Sequence, residues 1–211
     1  MNTPAWNKNK SLGQKPPLTY EQVQAIKTML VQVVGTPRDR VLFSLAIDSS
    51  LRSHDLLRLR VSDVMASGEV LDVVRVKPTK TKETTGESVI FEPIPYTRQL
   101  LKELIEAEDK YPQDFLFVRS KAPRLLSAPK THLTERAYQN LVKKWVGFLG
   151  LNPELYGTHS LRRTRPAYIY QKTKNLRACQ RILGHSKITT TQEYLGIDHA
   201  ETLEISRQWQ M

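Results

Sequence analysis

The 211-residue sequence contains a single cysteine, Cys179, so it cannot form a disulfide bond within the chain. Small secreted domains depend on such bonds, and a lone thiol is typical of proteins from a reducing compartment. No apolar run approaches the length of a membrane-spanning helix, and the first residues lack the apolar core of a signal peptide. These features exclude a disulfide scaffold, and we expect a cytoplasmic protein that makes no use of a membrane.

The sequence also lacks any cluster of His, Cys, Asp and Glu at metal-ligand spacing, so we expect neither a metal nor another cofactor. Acidic residues are in the minority: 32 Lys and Arg stand against 21 Asp and Glu, a formal net charge of +11. Such an excess favours a polyanionic partner, and nucleic acid is the commonest one. A merely basic surface would give the same net charge.

Local patterns predict a mainly α fold with a small antiparallel β-sheet (α+β). Residues 1–17 are polar, basic and rich in proline, which predicts a flexible basic arm. Thr19-x-x-Gln22 is a capping box that opens a helix, and Thr36-Pro37 opens a second. The apolar face of the first helix is expected to consist of Val23, Ile26, Leu30, Val33 and Val34. The second helix ends at Ser49-Ser50, which places Arg52 at a corner between helices.

The middle of the chain predicts strands at 69–77 and 88–94, joined by a lysine-bearing connection, and a short strand at 115–118. Helices dominate the rest. A stripe of apolar and aromatic residues at helical spacing is expected to lie in the hydrophobic core. Thr158 and Asn175 are expected to cap the two helices that follow this stripe. The stripe consists of Tyr138, Leu141, Val142, Trp145, Phe148 and Leu149. Cys179 lies in an apolar pattern and is expected to be a small core residue.

The second half carries the residue types that attack a phosphodiester. His159 and Arg162 are one turn apart near a helix start, where backbone N–H groups favour a phosphate. Leu183-Gly184-His185-Ser186 forms a turn, and Tyr194 follows it. A phenol can act as nucleophile, guanidinium groups can hold phosphoryl oxygens, and imidazoles can move protons. Each motif alone is weak evidence for catalysis, because His–Arg pairs on protein surfaces and tyrosines that serve only in packing are common.

Taken in order, these segments resemble the catalytic domain of tyrosine recombinases, the phage-integrase family. The resemblance spans roughly Leu18 to Tyr194. The segments that carry it are Ser49-Ser50-Leu51-Arg52-Ser53-His54-Asp55-Leu56, His159-Ser160-Leu161-Arg162-Arg163-Thr164, and Leu183-Gly184-His185-Ser186-Lys187-Ile188-Thr189-Thr190-Thr191-Gln192-Glu193-Tyr194.

The resemblance implies a role for each residue in DNA strand cleavage. Tyr194 would attack the scissile phosphate, Arg52 and Arg162 would hold its oxygens, His159 would accept the phenol proton, and His185 would hydrogen-bond the phosphate. A lysine would protonate the leaving oxygen; Lys80 is favoured, with Lys77 and Lys82 as alternatives. Simple steering of the DNA backbone explains these lysines equally well. Lys82, Lys143, Lys144 and Arg163 are the expected DNA contacts.

The resemblance further implies double-stranded DNA as partner, a dimer-to-tetramer synapse, and a bacterial or phage-encoded protein associated with the nucleoid. Residues 18–197 would form the catalytic domain, and residues 198–211 a tail helix exchanged between protomers. Most family members also carry a separate clamp domain, so we expect either a minimal member, aided by an accessory protein, or a fragment.

Three functions stay open: a recombinase or integrase, a non-cleaving DNA-binding accessory or regulatory protein, and a topoisomerase-like enzyme. The second is motivated by the expected lack of the clamp domain and by Pro166, which removes a backbone donor four residues after Arg162 and would kink the catalytic helix.

Overall fold

A computed structural model describes residues 14–78, 88–118 and 131–197, together with Arg207. The order of elements is mainly helical, with four short strands in the first half of the described residues. The helices are α1 (Tyr20–Met29), α2 (Pro37–Ser49), α3 (Ser53–Leu57), α4 (Val61–Val64), α5 (Pro95–Ala107), α6 (Glu135–Phe148), α7 (Thr158–Thr173), α8 (Leu176–Leu183) and α9 (Ile188–Leu195); the strands are β1 (Met65–Ala66), β2 (Glu69–Val70), β3 (Val74–Val76) and β4 (Val89–Phe91). A π-helical turn (Leu30–Val34) follows α1, and a 3₁₀ turn (Pro153–Leu155) precedes α7.

Helix α2 is the centre of the core. Thr36 caps it by accepting a hydrogen bond from the Asp39 amide, and Pro37 occupies its first turn, as the sequence predicts. Every residue from Val41 to Ser49 is buried, because α5 and α7 pack against this helix. Phe43 meets the Trp145 ring of α6 edge-on, with the ring centres 5.6 Å apart.

The predicted strand at 69–77 is wrong as a single element. It divides into β2, which pairs with β1, and β3, which pairs with β4, so the described strands form two separate antiparallel ribbons. The Leu71 amide bonds the Val64 carbonyl at 2.8 Å, which continues the register of the first ribbon by one residue, and the chain then bends at Asp72 and Val73 before β3 begins. The second predicted strand shortens to β4, and the stretch 115–118 makes isolated bridges instead of a strand.

Three helix predictions need correction. Val33 and Phe148 were assigned to buried faces, yet they are 74% and 49% exposed. Val33 leaves the apolar face because α1 gives way to the π-helical turn, and Phe148 is the last residue of α6. Gly157, one residue before Thr158, is the N-cap of α7, and its amide donates to the Ser160 hydroxyl at 3.2 Å. The predicted caps at Thr19 and Asn175 are confirmed.

Within the described part of the chain, no helix combines the length and apolar character needed to cross a bilayer. The predicted tail, residues 198–211, lies outside the described residues except for Arg207. Cys179 is fully buried on α8, which confirms it as a core residue, and its Sγ lies 3.4 Å from the Pro166 carbonyl oxygen.

Candidate active site

Arg52 lies at the corner between α2 and α3. Ser50, which ends α2, adopts the left-handed conformation with φ at 50°, and the Leu51 amide bonds the Ser49 hydroxyl at 3.2 Å. This turn makes Arg52 the residue that precedes α3. Its Nη1 atom is buried and has no hydrogen-bond partner among the described residues. A buried donor without an acceptor is rare in a native protein and is a candidate contact for a bound oxyanion.

Helix α7 supplies His159 and Arg162 on one face. Arg162 is 4% exposed, and its Nη2 donates to the Leu183 carbonyl at 2.7 Å, which ties α7 to the end of α8. Burial, followed by repulsion from Arg52, lowers the pKa of Arg162 to about 10, so the group keeps its charge at neutral pH. Burial and the positive charges of three arginines lower the pKa of His159, which favours the neutral imidazole that a proton acceptor must have.

The turn between α8 and α9 fixes His185. Gly184 ends α8 in the left-handed conformation, and the His185 backbone bonds Gln180 through both its amide and its carbonyl. The His185 Nδ1 lies 3.0 Å from the Thr191 hydroxyl, which orients the ring. Burial lowers the pKa of His185 to about 4, helped by the charges of Arg162 and Arg52. The imidazole is therefore neutral at physiological pH.

Tyr194 is half-buried on α9 among these groups. Its ring meets that of His185 edge-on, with centres 5.4 Å apart, and the Arg162 Cζ lies 5.8 Å from the ring centre. The hydroxyl donates a long hydrogen bond of 3.4 Å to the main-chain carbonyl of His159. Burial raises the pKa of Tyr194, while the charges of Arg162, Arg163 and Arg52 oppose that rise. The arginines thus favour the phenolate that a nucleophilic attack requires.

Five of the predicted site residues are therefore brought together, although they come from three separate parts of the chain. The positive charge of Arg52 lowers the pKa of His159, Arg162, His185 and Tyr194 alike, which places it in the same electrostatic neighbourhood. Oxyanion donors, neutral imidazoles and a phenol around one centre are suited to nucleophilic substitution at a phosphate.

The structure describes only some of the predicted basic residues. Lys80 and Lys82 lie outside the described residues, in the connection between β3 and β4, and Lys77 is exposed just after β3. Lys143 forms an ion pair of 2.7 Å with Glu154, and the Lys144 ammonium lies 5.8 Å from the centre of the Phe148 ring. Arg163, predicted as a DNA contact, is only 7% exposed and lies beside Tyr194.

Two features near the site were not predicted. A basic cleft of about 1060 Å³ lies between the β3–β4 ribbon and α8, and Arg75, Arg177, Arg181 and His185 line it. The four-residue spacing of Arg177 and Arg181 on one helix was the available sequence signal. Glu135, at the start of α6, accepts a hydrogen bond from the Ser53 hydroxyl at 2.5 Å, and its charge partly offsets the lowered pKa of His159.

Helix α7 continues from Thr158 to Thr173 with Pro166 inside it. A proline in a helix crowds the carbonyl four residues before it, which here is that of Arg162. Arg162 nevertheless remains buried and bonded to the Leu183 carbonyl. Arg165, the residue before the proline, donates through Nη1 to the Asp48 carbonyl on α2 at 2.7 Å. The segment around the proline is therefore anchored to both α8 and α2.

A sequence model that describes the phage integrase family matches residues 17–201, most of the chain and all five clustered site residues. The chain belongs to the phage integrase family. The predicted resemblance is thereby confirmed.

Family relatives of known sequence agree with this membership. The chain is 30% identical over 188 residues to the probable integrase/recombinase YoeC of Bacillus subtilis, covering 89% of this chain and 92% of YoeC. It is 26% identical over 211 residues to the tyrosine recombinase XerH of Helicobacter pylori, covering 96% of this chain and 54% of XerH. The chain therefore spans nearly all of one relative and about half of the other.

Solved structures establish the fold. The XerH recombinase bound to its difH substrate superposes with a TM-score of 0.68 at 24% identity, over 96% of this chain and 57% of that one. The Tn1549 transposon integrase in complex with circular intermediate DNA gives a TM-score of 0.70 at 18% identity, over 95% of this chain and 69% of that one. The predicted α+β fold, that of a tyrosine recombinase catalytic domain, is confirmed.

Proposed function

We propose that this phage-integrase-family chain cleaves and rejoins DNA strands through a 3′-phosphotyrosine intermediate, in site-specific recombination or integration. The observation that carries the proposal is the convergence of Arg52, His159, Arg162 and His185 on Tyr194, with the buried Nη1 of Arg52 left without a partner among the described residues. A non-bridging phosphate oxygen is the acceptor that this donor lacks.

Each residue then has a defined part in the reaction. The Tyr194 oxygen attacks the phosphorus, and its proton passes to the neutral imidazole of His159. Arg52 and Arg162 stabilise the charge that builds on the two non-bridging oxygens, and His185 donates a hydrogen bond to one of them. The bond from phosphorus to the 5′ oxygen breaks as the new bond from phosphorus to Tyr194 forms.

The leaving 5′ oxygen must gain a proton. We assign this step to Lys80 on the connection between β3 and β4, with Lys77 and Lys82 as the alternatives. The β3–β4 ribbon packs against α8, and Ser88, the residue before β4, lines the same cleft as His185. The protein–DNA bond conserves the phosphodiester energy, so a 5′-hydroxyl of another strand can reverse the reaction without ATP.

Double-stranded DNA is the proposed substrate. The net charge of +11 supplies the electrostatic attraction, and the basic cleft beside His185 can continue the contact with the DNA backbone. XerH is described with its difH substrate, and lambda integrase as a dimer on a core site. By analogy, we propose that this chain acts as a dimer or tetramer on DNA, with residues 198–211 exchanged between protomers.

A duplex with a nick close to the cleavage site tests the chemistry, because the short fragment released on cleavage diffuses away and traps the covalent complex. We expect a protein–DNA band that resists denaturant, forms in EDTA and disappears in Tyr194→Phe. Binding without a covalent band would favour the non-cleaving accessory protein. Relaxation of supercoiled DNA without exchange between two sites would favour a topoisomerase-like enzyme.

A further inference from the structure

Arg163 lies in an unusual position for a surface DNA contact. Its guanidinium carbon is 4.6 Å from the centre of the Tyr194 ring, closer than the corresponding carbon of Arg162 at 5.8 Å. Its Nη1 donates to the Lys15 carbonyl at 2.7 Å, across 148 positions of sequence. Its Nε is buried and has no hydrogen-bond partner in the described ranges. The side chain is thus enclosed between the N-terminal segment and the nucleophile.

The segment that holds Arg163 is itself attached to the catalytic helices. The Leu18 amide donates to the Thr164 hydroxyl on α7 at 3.1 Å, and the Gln14 amide group donates to the Glu193 carbonyl on α9. Residues 14–18 therefore contact both the helix that carries His159 and the helix that carries Tyr194. Arg163 links these contacts to the phenol ring.

We propose that Arg163 is a positioning residue for Tyr194: anchored on the Lys15 carbonyl, its guanidinium holds the phenol ring in place for attack. The proposal deepens the proposed function and rests on it. It differs from the expected role of Arg163 as a DNA-backbone contact, because a side chain that is 7% exposed and covered by an aromatic ring has little surface left for a phosphate.

The physical basis is the attraction between a cation and the face of an aromatic ring, which strengthens when water is excluded. The charged or titratable groups around Tyr194 are Arg52 from the α2–α3 corner, His159, Arg162 and Arg163 from α7, and His185 from the turn before α9. When the phenol loses its proton, a fixed charge nearby stabilises the product. Arg163 therefore affects both where the oxygen lies and how readily it ionises.

The first test measures the Tyr194 titration in the full chain without DNA, by carbon NMR of labelled tyrosine, with the signal assigned by its loss in Tyr194→Phe. We expect the pKa of Tyr194 to be higher in Arg163→Gln than in the unmodified chain. Arg163→Lys keeps the charge and should restore most of the difference. An unchanged titration in Arg163→Gln would overturn the proposal.

Arg165→Gln is the matched control. Arg165 is on the same helix and also donates from Nη1 to a main-chain carbonyl at 2.7 Å, that of Asp48, but no ring contact with Tyr194 is found for it in the described structure. Its replacement should lower the melting temperature about as much as Arg163→Gln while leaving the Tyr194 titration unchanged. An equal shift in both variants would show a general loosening of α7 and would contradict positioning by Arg163.

The second test compares cleavage with binding. In saturating nicked duplex we expect Arg163→Gln to form the covalent complex about 10- to 100-fold more slowly, with the DNA dissociation constant changed by less than about two-fold. A parallel loss of affinity with a shallower salt dependence would identify a DNA contact instead. If the unmodified chain forms no covalent complex, the proposed function fails, yet the titration still decides whether Arg163 acts on Tyr194.

Discussion

Arg52 and Arg162 carry the same charge in different surroundings, so their removal should have different effects on the fold. Arg162 is buried and bonded to the Leu183 carbonyl, which its loss would leave without this donor. Arg52 has a buried Nη1 without a partner among the described residues. We expect Arg162→Ala to lower the free energy of unfolding by about 2 kcal/mol, and Arg52→Ala by less than about 0.5 kcal/mol.

Their effects on cleavage should be similar, because each would bind the same phosphate. Loss of one such donor costs ~3 kcal/mol of transition-state stabilisation or more, a rate loss of about 100-fold, while duplex binding persists through other basic contacts. Urea unfolding, filter binding and covalent-complex assays measure the three quantities. A loss of binding as large as the loss of cleavage in both variants would show that these arginines act on DNA affinity, not on the chemical step.

His185 should make the fold sensitive to acid. Burial lowers its pKa in the folded chain to about 4, below the ordinary value of 6.5 expected after unfolding. The unfolded chain therefore takes up a proton first, so this contribution is fully present above pH 6.5 and is lost as the pH falls from there to about 4. The loss is at most about 3 kcal/mol.

His159 contributes in the same direction, because burial and nearby arginines also lower its pKa. We expect the melting temperature to fall through this pH window, and His185→Gln to make the fall shallower. His159→Gln removes the other imidazole with a lowered pKa and leaves His185 buried. Comparison of the two variants therefore separates the contribution of His185 from that of His159. If the melting temperature of the unmodified chain is flat between pH 6.5 and 4, the neutral buried imidazole is excluded.

At the scale of the elements, the end of α8 depends on Gly184. Its φ is +62°, and a Cβ added there would lie 2.7 Å from the Val89 Cγ2 of β4. Gly184→Ala should cost about 1–2 kcal/mol for the left-handed conformation, and more for the overlap with a buried side chain. Because His185 is the next residue, we also expect slower cleavage, measured with the nicked duplex.

Gly150→Ala provides the matched comparison. Gly150 has a φ of +72°, and an added Cβ would meet nothing within 4 Å. It should show only the conformational cost, without a change in cleavage. Equal stability and equal cleavage for the two variants would mean that contact between α8 and the β3–β4 ribbon does not set the position of His185.

At the scale of the whole molecule, the net charge of +11 should dominate duplex affinity. We expect binding with little sequence preference, insensitive to EDTA, that weakens with salt at a log–log slope of about −0.9 per phosphate contacted. Replacing both Lys8 and Lys10 with Gln should make the slope shallower by at most about two. Fluorescence anisotropy across a salt series measures this slope. Tight duplex binding that does not weaken with salt would contradict an affinity dominated by net charge.

Local chemistry made several elements predictable. The Thr19 capping box, Thr36-Pro37 and the Asn175 cap involve residues within three or four positions, and these helices begin where the sequence indicates. The order of the segments around Arg52, His159, His185 and Tyr194 likewise indicated the family before any distance was known. These features can be predicted from short stretches of sequence, because capping hydrogen bonds and helical periodicity involve only neighbouring residues.

Contacts between distant segments could not be predicted in this way. The predicted strand at 69–77 divides because its two parts pair with different partners, β2 with β1 and β3 with β4, and the basic cleft exists because α8 packs against the β3–β4 ribbon. The burial of Arg163 beneath Tyr194 depends on Lys15, 148 positions away. Sequence motifs name the groups that can do chemistry, but the packing of separate elements sets which donors are buried, which are paired, and which remain free for a ligand.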